Sequence, residues 1–493
     1  MKDQLVSFLN EKEVLVSPEA LEAILKDKEP LKLAEKLVQG NNFFVNLSDV
    51  QKITVKKPEP QKKPKEQVKN KTFHAPAKDI EPQIKEYKEY NVTGESTSKG
   101  QAEDFVALFN DRFEKLSEKV RNRGQTERDI ATLKKRGKEG EVRVVGMVDH
   151  IKTTKNGHRF MIIEDQTDSL NALILERNKQ LIKESYNIIP DEVIALEGKL
   201  SKDLFIVNKV YFPEIPARKP NRAKEEVYLA MISDTHIGSK LFLEKKFKKF
   251  LSWLNGKEGN EKHKRLAGKV KYLTIAGDLV DGVGVYPGQE EELTTENIFE
   301  QYERLAELLQ EVPEHIEIVA IPGNHDATRI AEPQPCMVPE VLKPLTDLGN
   351  FRCLGNPGYV SLHGVEILMY HGASIHSMVP HIKDSTYEKP GKTIQEWLKR
   401  RHLHPVYGEK PPICPEKKDY MVIERVPDIL HAGDVHKNDY VTYRGVLGVN
   451  SGTWQDITPF QIKQGHHPTP CILPIVNLKT GKLSVMHFEE GLN

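Results

Sequence analysis

Five apolar runs from residue 227 onward each stop at a cluster of Asp, His or Asn, and this repetition constrains the fold more than any other feature. The run 316–321 leads into Gly323, Asn324, His325 and Asp326, and the run 227–232 leads into Asp234, Thr235 and His236. The run 272–276 leads into Gly277, Asp278 and then Asp281. The run 365–370 leads into His371 and Gly372, and 429–432 leads into Gly433, Asp434, Val435 and His436. Short apolar runs that end at a turn signal read as buried strands. In open α/β sheets, ligands bind beyond the carboxyl ends of the strands. Asp234 and His236 are two apart and point the same way on an extended strand end, as do Asp434 and His436. One Asp-x-His arises often by chance; five such strand ends in order do not. Asp234, His236, Asp278, Asn324, His371, Asp434 and His436 together offer the imidazoles and hard oxygens that divalent cations take near neutral pH. Two such ions can share a carboxylate and clamp both oxygens of a phosphoryl centre.

Around this feature the chain changes character several times. Residues 1–50 read as a small helical module: Ser17-Pro18-Glu19 is a helix start, and Leu21, Ile24 and Leu25 fall on one face. So short a piece is expected to dock on something else rather than bury its own core. Residues 51–100 are expected to be a disordered Lys/Pro-rich linker, because 51–70 carries seven lysines and three prolines. Over 101–139, Phe105, Leu108, Phe109, Phe113 and Leu116 recur at helical spacing. Over 140–217, five or six short strands, with a hairpin signal at Asn156-Gly157, fit a small closed barrel of the OB type. Its few aromatics favour a structural barrel over a strong single-strand binder. Over 225–493 strands alternate with helices, which indicates an α/β sandwich. The expected fold is thus multidomain α+β: a helical N-terminal module, an OB-type barrel, and an α/β sandwich.

Charge does not favour a nucleic-acid or an acidic partner, since Lys+Arg and Asp+Glu both number 72. Cys336, Cys353, Cys414 and Cys471 form no Cys-x-x-Cys pair, so ordinary reduced thiols are expected, with neither a zinc ribbon nor a disulfide framework. No apolar run approaches the roughly 18 residues of a membrane span, and no signal peptide opens the chain. The reading is a soluble, cytoplasmic, nucleoid-associated protein with no membrane partner.

The motif order D-x-H, G-D-x-x-D, G-N-H-D, H-G, G-x-x-H over 225–456 resembles the calcineurin-like metallophosphoesterases. That resemblance implies one metal on Asp234, His236 and His436, a second on Asn324, His371 and Asp434, and Asp278 bridging them. It implies that His325 protonates the leaving oxygen and that Asp326 orients His325. The ions expected are manganese, with magnesium as the alternative. Asp434 departs from the pattern, which usually has histidine there. The sequence of helical module, Lys/Pro-rich linker, OB barrel and phosphoesterase resembles the small subunits of the archaeal family D DNA polymerases. Residues 450–461, from Asn450-Ser451-Gly452 to Pro459-Phe460-Gln461, are similar to that family too. The resemblance implies a metal-dependent 3′–5′ exonuclease acting on single-stranded or mismatched DNA 3′ ends, and a large polymerising subunit as partner. The alternative is a scaffold whose nuclease site has decayed, as in the related B-type subunits of eukaryotic replicative polymerases.

Overall fold

The computed structural model describes residues 73–121, 129–137 and 140–489, with short pieces of 4–50. The chain divides into two units, residues 1–72 and 73–493. Residues 51–72 of the expected linker lie outside the described residues, as do residues 122–128.

In the first unit, β1 (Leu15–Val16) pairs in parallel with β2 (Phe44–Val45). Helix Pro18–Leu25 starts as the sequence reading expects, with the Ser17 side chain accepting from the Ala20 N–H and Pro18 in the first turn. A second helix spans Pro30–Gln39. Leu5, Leu9, Ala20, Ile24, Leu33, Ala34 and Leu37 bury one another, so the module has a small core of its own. The expectation that so short a piece buries no core of its own is corrected.

The second unit begins earlier than expected. Residues 73–100, read above as linker, are ordered: β3 (Ile84–Glu86) pairs antiparallel with a sheet strand, and buried Tyr87 donates its hydroxyl to Glu366. Few apolar residues mark this segment because an edge strand buries little of itself. Helix Ala102–Arg121 follows, and its buried Arg112 binds the Asp419 carboxylate at 2.7 Å.

Five strands then close a barrel: β4 (Val142–Thr153), β5 (Arg159–Glu164), β6 (Ser169–Ile174), β7 (Val193–Ser201) and β8 (Leu204–Tyr211), in the order β4-β5-β6-β8-β7. Alternation of the strand residues fills it with Val144, Met161, Ile163, Leu170, Ile194, Leu196 and Phe205. Of the barrel-region aromatics, Phe205 is consumed by this core, and Phe212 lies under the side chains of Lys399 and Arg400.

The rest of the unit is two six-stranded sheets face to face. The first runs β12-β11-β10-β9-β18-β19 and the second β16-β17-β15-β14-β13-β3. In chain order the strands are β9 (Tyr228–Ile232), β10 (Val270–Ala276), β11 (Glu317–Ile321), β12 (Phe351–Cys353), β13 (Gly358–Leu362), β14 (Val365–Met369), β15 (Ile429–Ala432), β16 (Asn438–Tyr443), β17 (Val446–Ser451), β18 (Ile472–Asn477) and β19 (Leu483–His487). β9, β10, β11 and β12 are parallel, as are β14, β15 and β17. Their continuous apolar runs follow from burial on both faces. Leu229, Met231, Val319, Ile321, Ile367, Met369 and Val449 fill the space between the sheets. Helices such as Glu244–Leu254 and Ile298–Leu309 cover the outer face of the first sheet, and Pro390–Arg400 covers the second.

A buried polar bridge crosses between the sheets. Thr274 pairs with His431 Nδ1 at 3.0 Å, His431 Nε2 with Ser451 at 3.0 Å, and Ser451 with Ser233 at 2.8 Å. Cys336 and Cys353 form a disulfide, which corrects the expectation of reduced thiols; Cys414 and Cys471 are free. The pair is seventeen residues apart and joins the loop before helix Pro339–Thr346 to β12, a spacing without a sequence signature. Among the described residues no helix is long and apolar enough to cross a membrane.

Candidate metal centre

All five chemistry-bearing strand ends converge where the two sheets meet. β9, β10 and β11 deliver Asp234, His236, Asp278 and Asn324; β14 and β15 deliver His371, Asp434 and His436. Donor atoms group into three overlapping triads: Asp234 with His236 and His436, His236 with Asp278 and His325, and Asp234 with Asp278 and His371. Within each triad the donor atoms lie within 4.8 Å of one another. Asp278 belongs to two of them, the position expected of a bridging carboxylate.

The backbone is bent to achieve this. Asp234, His236, Asp278, Asp434 and His436 have φ of 51°, 46°, 51°, 71° and 55°, the left-handed region that side-chain-bearing residues avoid. Such strain persists where the surroundings over-determine it, and it concentrates at functional sites. The close approach also demands glycine at 323, where a Cβ would collide with the Asp278 carboxylate.

On one side, His236 Nε2 and His436 Nε2 lie 3.0 Å apart, with Asp278 Oδ2 3.7 Å from the first and Asp234 Oδ1 3.5 Å from the second. Two nitrogens each about 2.1 Å from one cation at about 90–110° would be separated by roughly 3.0–3.4 Å. On the other side, His371 Nε2 faces Asn324 Oδ1 at 3.1 Å, Asp278 Oδ2 at 3.4 Å and Asp434 Oδ1 at 3.6 Å. His371 Nδ1 donates to the Ala276 carbonyl at 2.8 Å, which turns Nε2 toward the oxygens. The donor set therefore fits two hard divalent cations. All seven sequence-predicted ligands are brought together, Asp434 included.

Electrostatics reflect the crowding. Burial, together with the Asp278 charge, pushes Asp234 up to about 7. Burial works against charge on His236, but the Asp281 hydrogen bond and the Asp278 charge outweigh it and raise His236 to about 9. Burial and the neighbouring His236 hold His436 well below the usual imidazole range. Burial opposes ionisation of Asp278, yet His371, His325 and His236 keep it well below the usual carboxylate range. No Lys or Arg is among the described residues lining the cavity, of about 220 Å³, above the cluster. Cations would supply the charge those carboxylates lack.

His325 is half-buried at the cavity wall. Its N–H donates to Asp278 Oδ1 at 2.9 Å, and Nδ1 pairs with the Asp281 carbonyl at 2.7 Å. Asp326 does not orient it, contrary to expectation. The Asp326 carboxylate accepts from the N–H groups of Gly323 and Leu279 and from the Tyr302 hydroxyl, at 2.9, 3.2 and 2.9 Å. It locks the turn, while the Asp281 carbonyl aims the ring. Burial and the Asp278 charge raise Asp326 to about 6.

Three contributors escaped the sequence reading. Asp281 Oδ1 holds His236 Nδ1 at 2.9 Å and is itself fixed by Gln289 and Gln455. Gln461 donates to His436 Nδ1 at 2.8 Å while completing a capping box with Thr458. His376 Nε2 lies 3.1 Å from Asp434 Oδ2. Burial opposes the Asp434 charge, but His376 beside it keeps the carboxyl below its ordinary range. Asp281 follows Asp278 by three residues in its motif and was visible as a carboxylate; Gln461 lay in the segment Pro459-Phe460-Gln461 without an assigned role, and His376 carries no motif.

The profile of the B-subunit family of DNA polymerases alpha and epsilon matches residues 229–442. The DNA polymerase II small subunit of Methanocaldococcus jannaschii is 44% identical over 408 residues, covering 82% of this chain and 68% of that protein. The protein of the same description from Thermoplasma acidophilum is 35% identical over 496 residues, covering 100% of this chain and 94% of its own. A solved archaeal phosphodiesterase overlaps 53% of this chain and 99% of its own at 13% identity and a TM-score of 0.29, a likeness too slight to bear on the fold. Identity at this level along the whole length places the chain in the family of archaeal DNA polymerase II small subunits, those of the family D polymerases.

Proposed function

We propose that this chain carries a metal-dependent 3′–5′ exonuclease and assembles with a large polymerising subunit as a replicative DNA polymerase. The observation that carries the reading is the set of three overlapping donor triads, two of which share Asp278. Asp234, His236 and His436 would hold one divalent ion, and Asn324, His371 and Asp434 the second, with manganese the expected occupant and magnesium the alternative. Bound together, two such ions stabilise charge on the attacking and leaving oxygens of a phosphodiester. The chain's own residues do the rest. His325, anchored through Nδ1 to the Asp281 carbonyl, presents Nε2 to the cavity and gives a proton to the departing 3′-oxygen of the shortened strand. Asp326 holds the turn that carries it.

In the same reading the sandwich is calcineurin-like. The barrel is of OB type, supported by its order β4-β5-β6-β8-β7. A scaffold role without nuclease activity is favoured only by Asp434, which stands where calcineurin-like sites usually carry histidine. Titrating manganese into the protein with a 3′-labelled single-stranded oligonucleotide separates the two. Stepwise shortening from the 3′ end, abolished by chelator, supports the nuclease; an intact oligonucleotide at every concentration supports the scaffold.

A further inference from the structure

Three rings lead away from the metal centre along one wall of the cavity. His376 touches Asp434 through Nε2 at 3.1 Å, and its side chain is 43% exposed. Tyr387 lies against it with ring centroids 5.3 Å apart, and His466 lies against Tyr387 at 4.7 Å and 36°. His376 and His466 line the cavity, while Tyr387 leans on the core of the second sheet between them. The arrangement is braced. Lys437 binds the Glu388 carboxylate at 2.5 Å and donates to the His467 carbonyl at 2.9 Å, clamping the neighbours of Tyr387 and His466 together. The helix Pro459–Gln464, whose Gln461 orients His436, ends at Gly465 in the left-handed conformation, so one short element carries both a ligand's support and the outermost ring.

We infer that this wall is a stacking platform for the base of the 3′-terminal nucleotide, with His466 as the contact ring and Tyr387 as its backing. The inference rests on the exonuclease reading for the phosphate's position. A phosphate held at the cations places the base of the same nucleotide along the cavity wall, where the ladder runs. Stacking on a π-face is tolerant of sequence, as removal of any mismatched nucleotide requires. A rigid ring supported from behind loses little freedom on binding. The rings are positioning residues and touch no reacting atom.

The test uses the full-length protein with manganese. Base stacking is worth about 1–3 kcal/mol, so His466→Ala should raise KM for a single-stranded oligonucleotide roughly 5- to 100-fold with kcat within about twofold. His466→Phe should restore KM, because a flat ring is all the role needs. Shortening of an oligonucleotide whose 3′-terminal residue is abasic, with no ring to stack, should be the same in all three proteins. Stacking is also read without turnover. An oligonucleotide ending in 2-aminopurine, its last linkage a phosphorothioate, should lose fluorescence on binding the wild type and His466→Phe but not His466→Ala or Tyr387→Ala. Retained quenching in both alanine variants, or equal damage toward the abasic-ended oligonucleotide, overturns the platform. Wild-type protein that quenches through His466 yet never shortens DNA removes the nuclease and leaves the platform. Protein that shortens DNA with a KM indifferent to His466 and Tyr387 does the reverse.

Discussion

Asp281 Oδ1 lies 2.9 Å from His236 Nδ1, and this pairing fixes which imidazole nitrogen meets a cation. Carboxylates that hold a ligand histidine from behind typically contribute 10–100-fold to metal affinity. Asp281→Ala should therefore weaken manganese binding by roughly that factor. The variant leaves all seven ligands in place, so calorimetric titration should show lower affinity at unchanged stoichiometry.

His325→Ala should slow exonuclease turnover by roughly 10²–10⁴-fold, the usual contribution of a general acid. Metal content and DNA affinity should stay near normal. A nitrophenyl diester, whose leaving oxygen needs no proton, should be much less affected. Lost metal would mean that the His236–Asp278–His325 triad, not proton transfer, is where His325 matters.

Cations that bind only the folded chain raise its stability with concentration, by about 2.7 kcal/mol at a hundred times Kd. Manganese should raise the melting temperature of the chelator-treated protein in a concentration-dependent way. Asp278→Asn removes a bridging charge from both donor groups and should abolish most of that shift.

His431 ties acid stability to the polar bridge between the sheets. Burial alone pushes its pKa down to about 3, from an ordinary value near 6.5. Between those values the unfolded chain binds a proton that the folded chain does not. This contribution is thus full above about pH 6.5 and lost as pH falls toward 3, at up to about 1.4 kcal/mol per unit. Urea unfolding at a series of pH values should show that slope in the wild type and a shallower one in His431→Gln, whatever the variant's absolute stability.

Deleting residues 73–100 should destabilise the second unit, because β3 closes a sheet edge and the buried Tyr87 hydroxyl satisfies Glu366. A buried hydrogen-bonded carboxylate stripped of a partner costs on the order of 1–3 kcal/mol before any lost burial is counted. Thermal melts of the deletion and of Tyr87→Phe should rank in that order of damage.

The clustering of the candidate donors was legible because each follows an apolar run whose burial dictates a strand, and strand ends of parallel sheets gather at one edge. Asp434 illustrates how far this goes: a residue at odds with the usual histidine still lands 3.6 Å from His371 Nε2. What was not legible depends on contacts between segments distant in sequence. Glu416 meets Ser96 and Thr97, and Lys418 meets the Glu89 carbonyl, so residues 73–100 are ordered by partners more than 300 residues away. Gln461 and His376 carry no signal of their roles, which appear only when the helix Pro459–Gln464 and the turn after His371 are in place. The resemblance implied that Asp326 orients His325, but a turn points successive side chains apart, and its carboxylate takes backbone N–H groups and the Tyr302 hydroxyl instead.

Five ligand-bearing residues held at positive φ have an evolutionary consequence. Each costs about 1–2 kcal/mol that glycine in its place would not. In a descendant no longer selected for chemistry at this edge, replacement of Asp234, His236, Asp278, Asp434 or His436 by glycine would relieve that strain. Each such step removes a cation donor as well. Decay of the site would thus run downhill and act as a ratchet, since returning to the ligand means restoring the strain before any chemistry is regained.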